Sequence, residues 1–88
     1  MPSVLAGELG EFRLDETGPV FQIRAIDYWA IQPALSETDA TAKVRKVLEA
    51  GLLAIDGDEA AAKEFLERPS VRYVNPLFEA VWQLTWGN

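Results

Sequence analysis

The sequence predicts an α+β domain dominated by helices: a short N-terminal β-hairpin followed by three or four packed helices. Three observations lead there. Two alternating apolar runs flank a Gly-Pro break near the N-terminus, a well-capped amphipathic stripe fills the middle, and a segment apolar nearly all round closes the chain. With 88 residues, 49% of them hydrophobic and 25% charged, the composition is that of one small globular domain. Residues 1–10 read as an extended lead-in and residues 11–88 as the domain, whose core is small for want of length.

The hairpin is predicted from Glu11-Phe12-Arg13-Leu14-Asp15 and Val20-Phe21-Gln22-Ile23-Arg24, separated by Glu16-Thr17-Gly18-Pro19. Alternation places Phe12, Leu14, Phe21 and Ile23 on one face. A short helix over Ala25–Ile31 follows, opened by Asp27 and closed before Pro33. Glu37–Ala50 is the strongest helix: Ser36 offers an N-cap, and Ala40, Val44, Val47 and Leu48 form an apolar stripe. Gly51 then suits the C′ position of a Schellman ending, with Leu52 folding back on Val47. Asp56-Gly57 reads as a turn and Asp58 as the cap of a helix running to about Arg68, ended by Pro69 and supported by the pairs Glu59–Lys63 and Glu64–Arg68.

Asn75 as N-cap, Pro76 at the first helical position and Gly87 past the end delimit a last helix, Pro76–Trp86. Leu77, Ala80, Val81 and Leu84 form one apolar stripe on it, and Phe78, Trp82 and Trp86 form a second beside the first. Only Glu79, Gln83 and Thr85 remain polar. So small a domain has difficulty enclosing such a helix, which makes it a candidate interface. The expected core is Phe12, Leu14, Phe21, Ile23, Val44, Val47, Leu48, Phe65, Leu66, Leu77, Val81 and Leu84.

Composition narrows the chemistry. No Cys excludes disulfides, thiol nucleophiles and thiolate metal sites, and no His removes the commonest neutral-pH base and transition-metal ligand. The net charge of -6 would repel phosphate, so no nucleic-acid partner is expected. Residues 1–42 hold seven acids and two bases, so the N-terminal half carries most of that charge. No window has the ~18 apolar residues of a membrane span, and the start lacks a basic secretory signal, so a soluble, cytoplasmic protein is expected. Asp56-Gly57-Asp58-Glu59 superficially suggests a calcium loop, but Ala60 and Ala61 occupy positions that need an oxygen ligand and Gly. The expectation is therefore a non-enzyme with no metal and no cofactor.

Candidate partner-binding residues are Phe78, Trp82 and Trp86, with Lys43 and Lys46 from the one basic cluster, Lys43-Val44-Arg45-Lys46, on the exposed side of the middle helix. Trp29 reads as core. Trp82 serves either core or interface, and Trp86, two residues from the end, is the hardest ring to cover. Homo-oligomerisation through the basic cluster and an acidic N-terminal half is one use of these surfaces.

From Phe12 to Asn88 the order of features resembles the tail assembly chaperones of long-tailed bacteriophages. The resembling parts are Ile23-Arg24-Ala25-Ile26, then a helix ending Val47-Leu48-Glu49-Ala50-Gly51-Leu52, the acidic turn Asp56-Gly57-Asp58, a further helix, and Asn75-Pro76-Leu77 opening a terminal apolar helix. The resemblance implies a mostly helical protein that coats the tape measure protein in the host cytoplasm and contacts tail tube subunits. In many members it also implies a longer form made by ribosomal frameshifting. The competing reading is a small acidic inhibitor that mimics nucleic acid and blocks a host nuclease or polymerase.

Overall fold

The computed structural model describes residues 8–87. Along the chain lie β1 (Leu9–Arg13), β2 (Val20–Arg24), α1 (Tyr28–Leu35), α2 (Ala40–Gly51), β3 (Leu52–Ile55), α3 (Glu59–Glu67) and α4 (Val71–Trp86). The predicted hairpin and four helices are present, together with a third strand that the sequence reading did not contain. The sheet is antiparallel, in the order β1-β2-β3.

Cross-strand pairs Phe12↔Phe21 and Gly10↔Ile23 set one face of the hairpin toward the helices. Phe21 and Ile23 are buried there. Leu14, expected on the same face, lies past the end of β1 and is 37% exposed. Leu9 and Gly10, assigned to the lead-in, instead belong to β1. The lead-in before Glu8 lies outside the described residues.

β3 replaces the predicted Schellman ending. Among the described glycines only Gly57 and Gly87 have positive φ, so Gly51 does not end α2 by turning left-handed. Its role is close packing: a Cβ there would lie 2.4 Å from Val81 Cγ1 on α4. Leu52 leaves the helix in extended geometry and enters β3 directly, where Leu52 pairs with Ile23 and Ile55 with Phe21 across an irregularity in register. Asp56 and Gly57, at φ 52° and 79°, then make the predicted turn, and the Asp58 carboxylate caps α3 by accepting from the Ala60 and Ala61 N–H groups.

Helix boundaries differ from expectation in three places. α1 is capped by Asp27 as predicted but continues through Pro33 to Leu35. The one backbone bond lost is to the carbonyl of Trp29, on a turn whose residues Trp29, Ala30 and Pro33 face solvent. The cap of α2 is Asp39, which accepts from Thr41 N–H; Ser36 instead closes α1, its hydroxyl donating to the Gln32 carbonyl at 2.7 Å. α4 starts at Val71, a turn and a half before Pro76, with Ser70 at its N-cap. Tyr73 explains the early start, because its ring packs 5.3 Å from that of Phe21 and so draws residues 71–75 into the helix.

The core lies between the inner face of the sheet and helices α2 and α4, with Phe21, Val47, Leu77 and Val81 as its largest fully buried side chains. Phe21 is ringed by Phe12, Phe65 and Tyr73. Of the expected core, Phe12, Val44, Phe65, Leu66 and Leu84 are half-buried at its margin. Leu48 is buried as expected, and Ala25, Ile26, Ile31, Ala34, Leu52, Ala54 and Ala62 complete the core. Trp29, expected inside, is 80% exposed. The inward stripe of α1 is Ile31 and Ala34, and a residue two positions before Ile31 points the other way on a helix of 3.6 residues per turn. Among the described residues no helix is long and apolar enough to cross a membrane.

Candidate functional site

α4 offers two apolar stripes about one residue apart around its axis. Leu77 and Val81 are fully buried against the core, which fixes the helix in rotation. Its C-terminal end is held by the Ile26 N–H donating to Thr85 Oγ1 at 3.1 Å, and by Gly87, which is left-handed and donates to the Gln83 carbonyl at 2.9 Å. With the helix so placed, the i,i+4 spacing of Phe78, Trp82 and Trp86 stacks their rings along the adjacent flank. Centroids of Phe78 and Trp82 are 5.5 Å apart at 24°, and those of Trp82 and Trp86 are 5.5 Å apart at 67°. Both geometries are favourable for aromatic pairs.

From α2, Lys43 places Nζ 5.1 Å from the Trp82 ring centroid. This cation-π contact ties the ladder to the neighbouring helix. Phe78 and Trp82 are half-buried, and Trp86 is 54% exposed. The structure thus brings together Phe78, Trp82, Trp86 and Lys43. Lys43 and Lys46 are half-buried rather than on a freely exposed face, because each has a partner.

Lys46 is used elsewhere. Its Nζ lies 2.8 Å from Glu37 Oε2, so it clamps the α1–α2 connection rather than joining the ladder. The bond from Lys46, the Asp39 N–H and the charge of Lys46 together hold the Glu37 carboxyl below its usual range. Arg45 pairs with Glu49, and Arg72 with Asp15. Neither of the predicted pairs Glu59–Lys63 and Glu64–Arg68 is among the ion pairs of the described residues, whereas the i,i+4 pair Arg45–Glu49 is formed.

Sequence reasoning missed a second aromatic feature. Tyr28 and Trp29 are 67% and 80% exposed, with rings 5.0 Å apart edge to face. The Ile26–Thr85 bond sets the start of α1 beside the end of α4, so this pair and Trp86 occupy the same end of the molecule. The signal was the spacing of Ile31 and Ala34, which already assigned Trp29 to the outer face of α1.

The acidic turn is occupied by structural tasks. Asp56 Oδ1 accepts from the Val20 N–H at 3.0 Å, Asp58 caps α3, and the Gly57 N–H donates to Gln22 Oε1. Among the described residues no three acidic side chains group in a way that could hold a metal ion. An apolar groove of about 290 Å³ runs between α2 and the α3–α4 connection, floored by Val44, Leu48, Leu66 and Val74. Comparison with protein-family models, curated proteins and solved structures finds no match to this chain.

Proposed function

We propose that this protein is a non-catalytic assembly chaperone that docks an apolar helical segment of a partner protein along the Phe78–Trp82–Trp86 flank of α4. The observation that carries the reading is the ladder itself: three aromatic rings in register on one helix, the outermost half-open to solvent, beside a fully packed stripe. Aromatic side chains dominate docking energetics because they bury much area at little entropic cost. Lys43 keeps Trp82 oriented and leaves a cation at the margin of the apolar surface, where an acidic residue of the partner would be received.

The order of sequence features favours one assembly, the tail of a long-tailed bacteriophage, with the tape measure protein as partner and the tail tube protein as a second contact. The competing acidic-mimic reading has less support. Asp27, Asp39 and Asp58 cap helices, Asp56 braces β2, and Glu37, Glu49 and Asp15 are paired, so these acids serve the fold rather than forming a free charged face.

Co-expression with a tape measure protein followed by size-exclusion chromatography tests the proposal. The expected result is co-elution that is abolished by the double substitution Phe78→Ser and Trp86→Ala. Retention of the complex by that folded variant would refute the docking surface, and binding strengthened by low salt alone would favour the mimic instead.

A further inference from the structure

β1 is an edge strand: its partner is β2, and among the described residues nothing pairs with its other side. The Ala25 N–H donates to the Glu8 carbonyl, so Glu8, Gly10 and Phe12 turn their backbone groups toward β2. By the alternation of an antiparallel ladder, Leu9, Glu11 and Arg13 offer theirs to the open edge. An edge of this kind is a template for another strand.

We propose that this edge pairs with the same edge of a second copy, antiparallel about a two-fold axis at Phe12, to give a continuous six-stranded sheet. Charge selects the occupant and the register. With the axis at Phe12, Glu11 lies opposite the partner's Arg13 and Arg13 opposite the partner's Glu11, and these are the residues whose backbone groups face outward. An axis at Glu11 would oppose two carboxylates. An axis at Gly10 would set Leu9 against the partner's Glu11 and Phe12 against the partner's Glu8. The Phe12 register alone matches both charges and places two half-buried Phe rings across from each other at the close, non-hydrogen-bonded pair.

Shape selects the same register. An open hollow of about 370 Å³ beside β1 is lined by Gly10, Ile23, Ala80, Gln83 and Leu84 among others. Gly10 lines it with backbone alone, and Leu84 closes over that position: a Cβ there would lie 3.0 Å from Leu84 Cδ2. Leu14, the expected core residue left 37% exposed, is four residues further along the chain, one past the end of β1. In the Phe12 register the partner's Leu14 falls directly opposite Gly10, continuing the strand by one residue and inserting its side chain into the hollow; symmetry repeats the contact. The exposed Leu and the hollow beside β1 answer one another. This dimer is independent of the α4 ladder.

Sedimentation velocity at rising concentration tests it. The chain should dimerise reversibly; Glu11→Arg and Arg13→Glu should each weaken the dimer at least about tenfold by opposing like charges twice. The double swap, Glu11→Arg with Arg13→Glu, should restore it, and Leu14→Asp should weaken it. Trp86→Ala should leave it unchanged, which separates this interface from the docking flank. A chain monomeric at millimolar concentration would overturn the proposal. So would a dimer indifferent to Glu11→Arg, one the double swap does not restore while circular dichroism shows it folded, or one lost in Trp86→Ala.

Discussion

Two flanks of α4, one residue apart around the helix, are built from similar apolar side chains and come to different ends. Leu77 and Val81 are wholly buried between α2 and the sheet, whereas Phe78, Trp82 and Trp86 form a graded series from half-buried to half-open. The difference lies in what the rest of the fold can reach. Gly51 lets α2 approach Val81 to a distance no other residue permits, while over the second flank α2 lays Lys43 across the Trp82 ring. One stripe therefore serves stability, and the other is the surface we propose for recognition.

That division can be broken by substitution. Leu77→Ala should cost about 2–5 kcal/mol, a large share of a small domain's stability, seen as a lower urea midpoint. Gly51→Ala should cost about 1–3 kcal/mol despite alanine's better helix propensity, because its Cβ meets Val81; adding Val81→Ala should recover part of that loss in a double-mutant cycle. Trp86→Ala should change stability by no more than about 0.5 kcal/mol while weakening partner binding at least about tenfold, read by calorimetry of binding and by urea titration in parallel. Lys43→Met should cost about 0.5–1 kcal/mol through the lost contact with Trp82, with a shift in tryptophan emission. The smallest effect belongs to Glu37. Its folded-state carboxyl is held below the usual range, so its stabilisation is present at neutral pH and is lost as pH falls through the carboxylate range; Glu37→Gln should flatten that part of a pH-stability profile.

The hairpin, the middle helix and α3 were legible because local signals agree there: alternation across a Gly-Pro break, a 3.6-residue stripe, and Asp58 after a positive-φ Asp-Gly pair. β3 was not. Leu52-Leu53-Ala54-Ile55 is a short apolar run joined to a helix, with no polar residue to mark an alternation, and only pairing with β2 makes it a strand. Pro33 and Pro76 misled in the same way, since each costs a single backbone bond that packing of Ile31 or Tyr73 outweighs. Within the site, the i,i+4 ladder was visible as a second stripe. That Lys43 would cap it while Lys46 turned to Glu37 depends on the α2–α4 approach, a tertiary fact that no local pattern carries. Trp29 was misplaced by size, whereas its position relative to Ile31 and Ala34 already pointed outward.

The most direct test of the two-flank account is a single-tryptophan reporter. Of the three tryptophans, Trp29 and Trp82 are replaced by Phe so that Trp86 alone emits, and the proposed partner, a tape measure protein, is titrated in. Docking on the outer flank predicts a blue shift and protection from acrylamide quenching that saturate with complex formation. A complex that forms while Trp86 emission and quenching stay unchanged would contradict it.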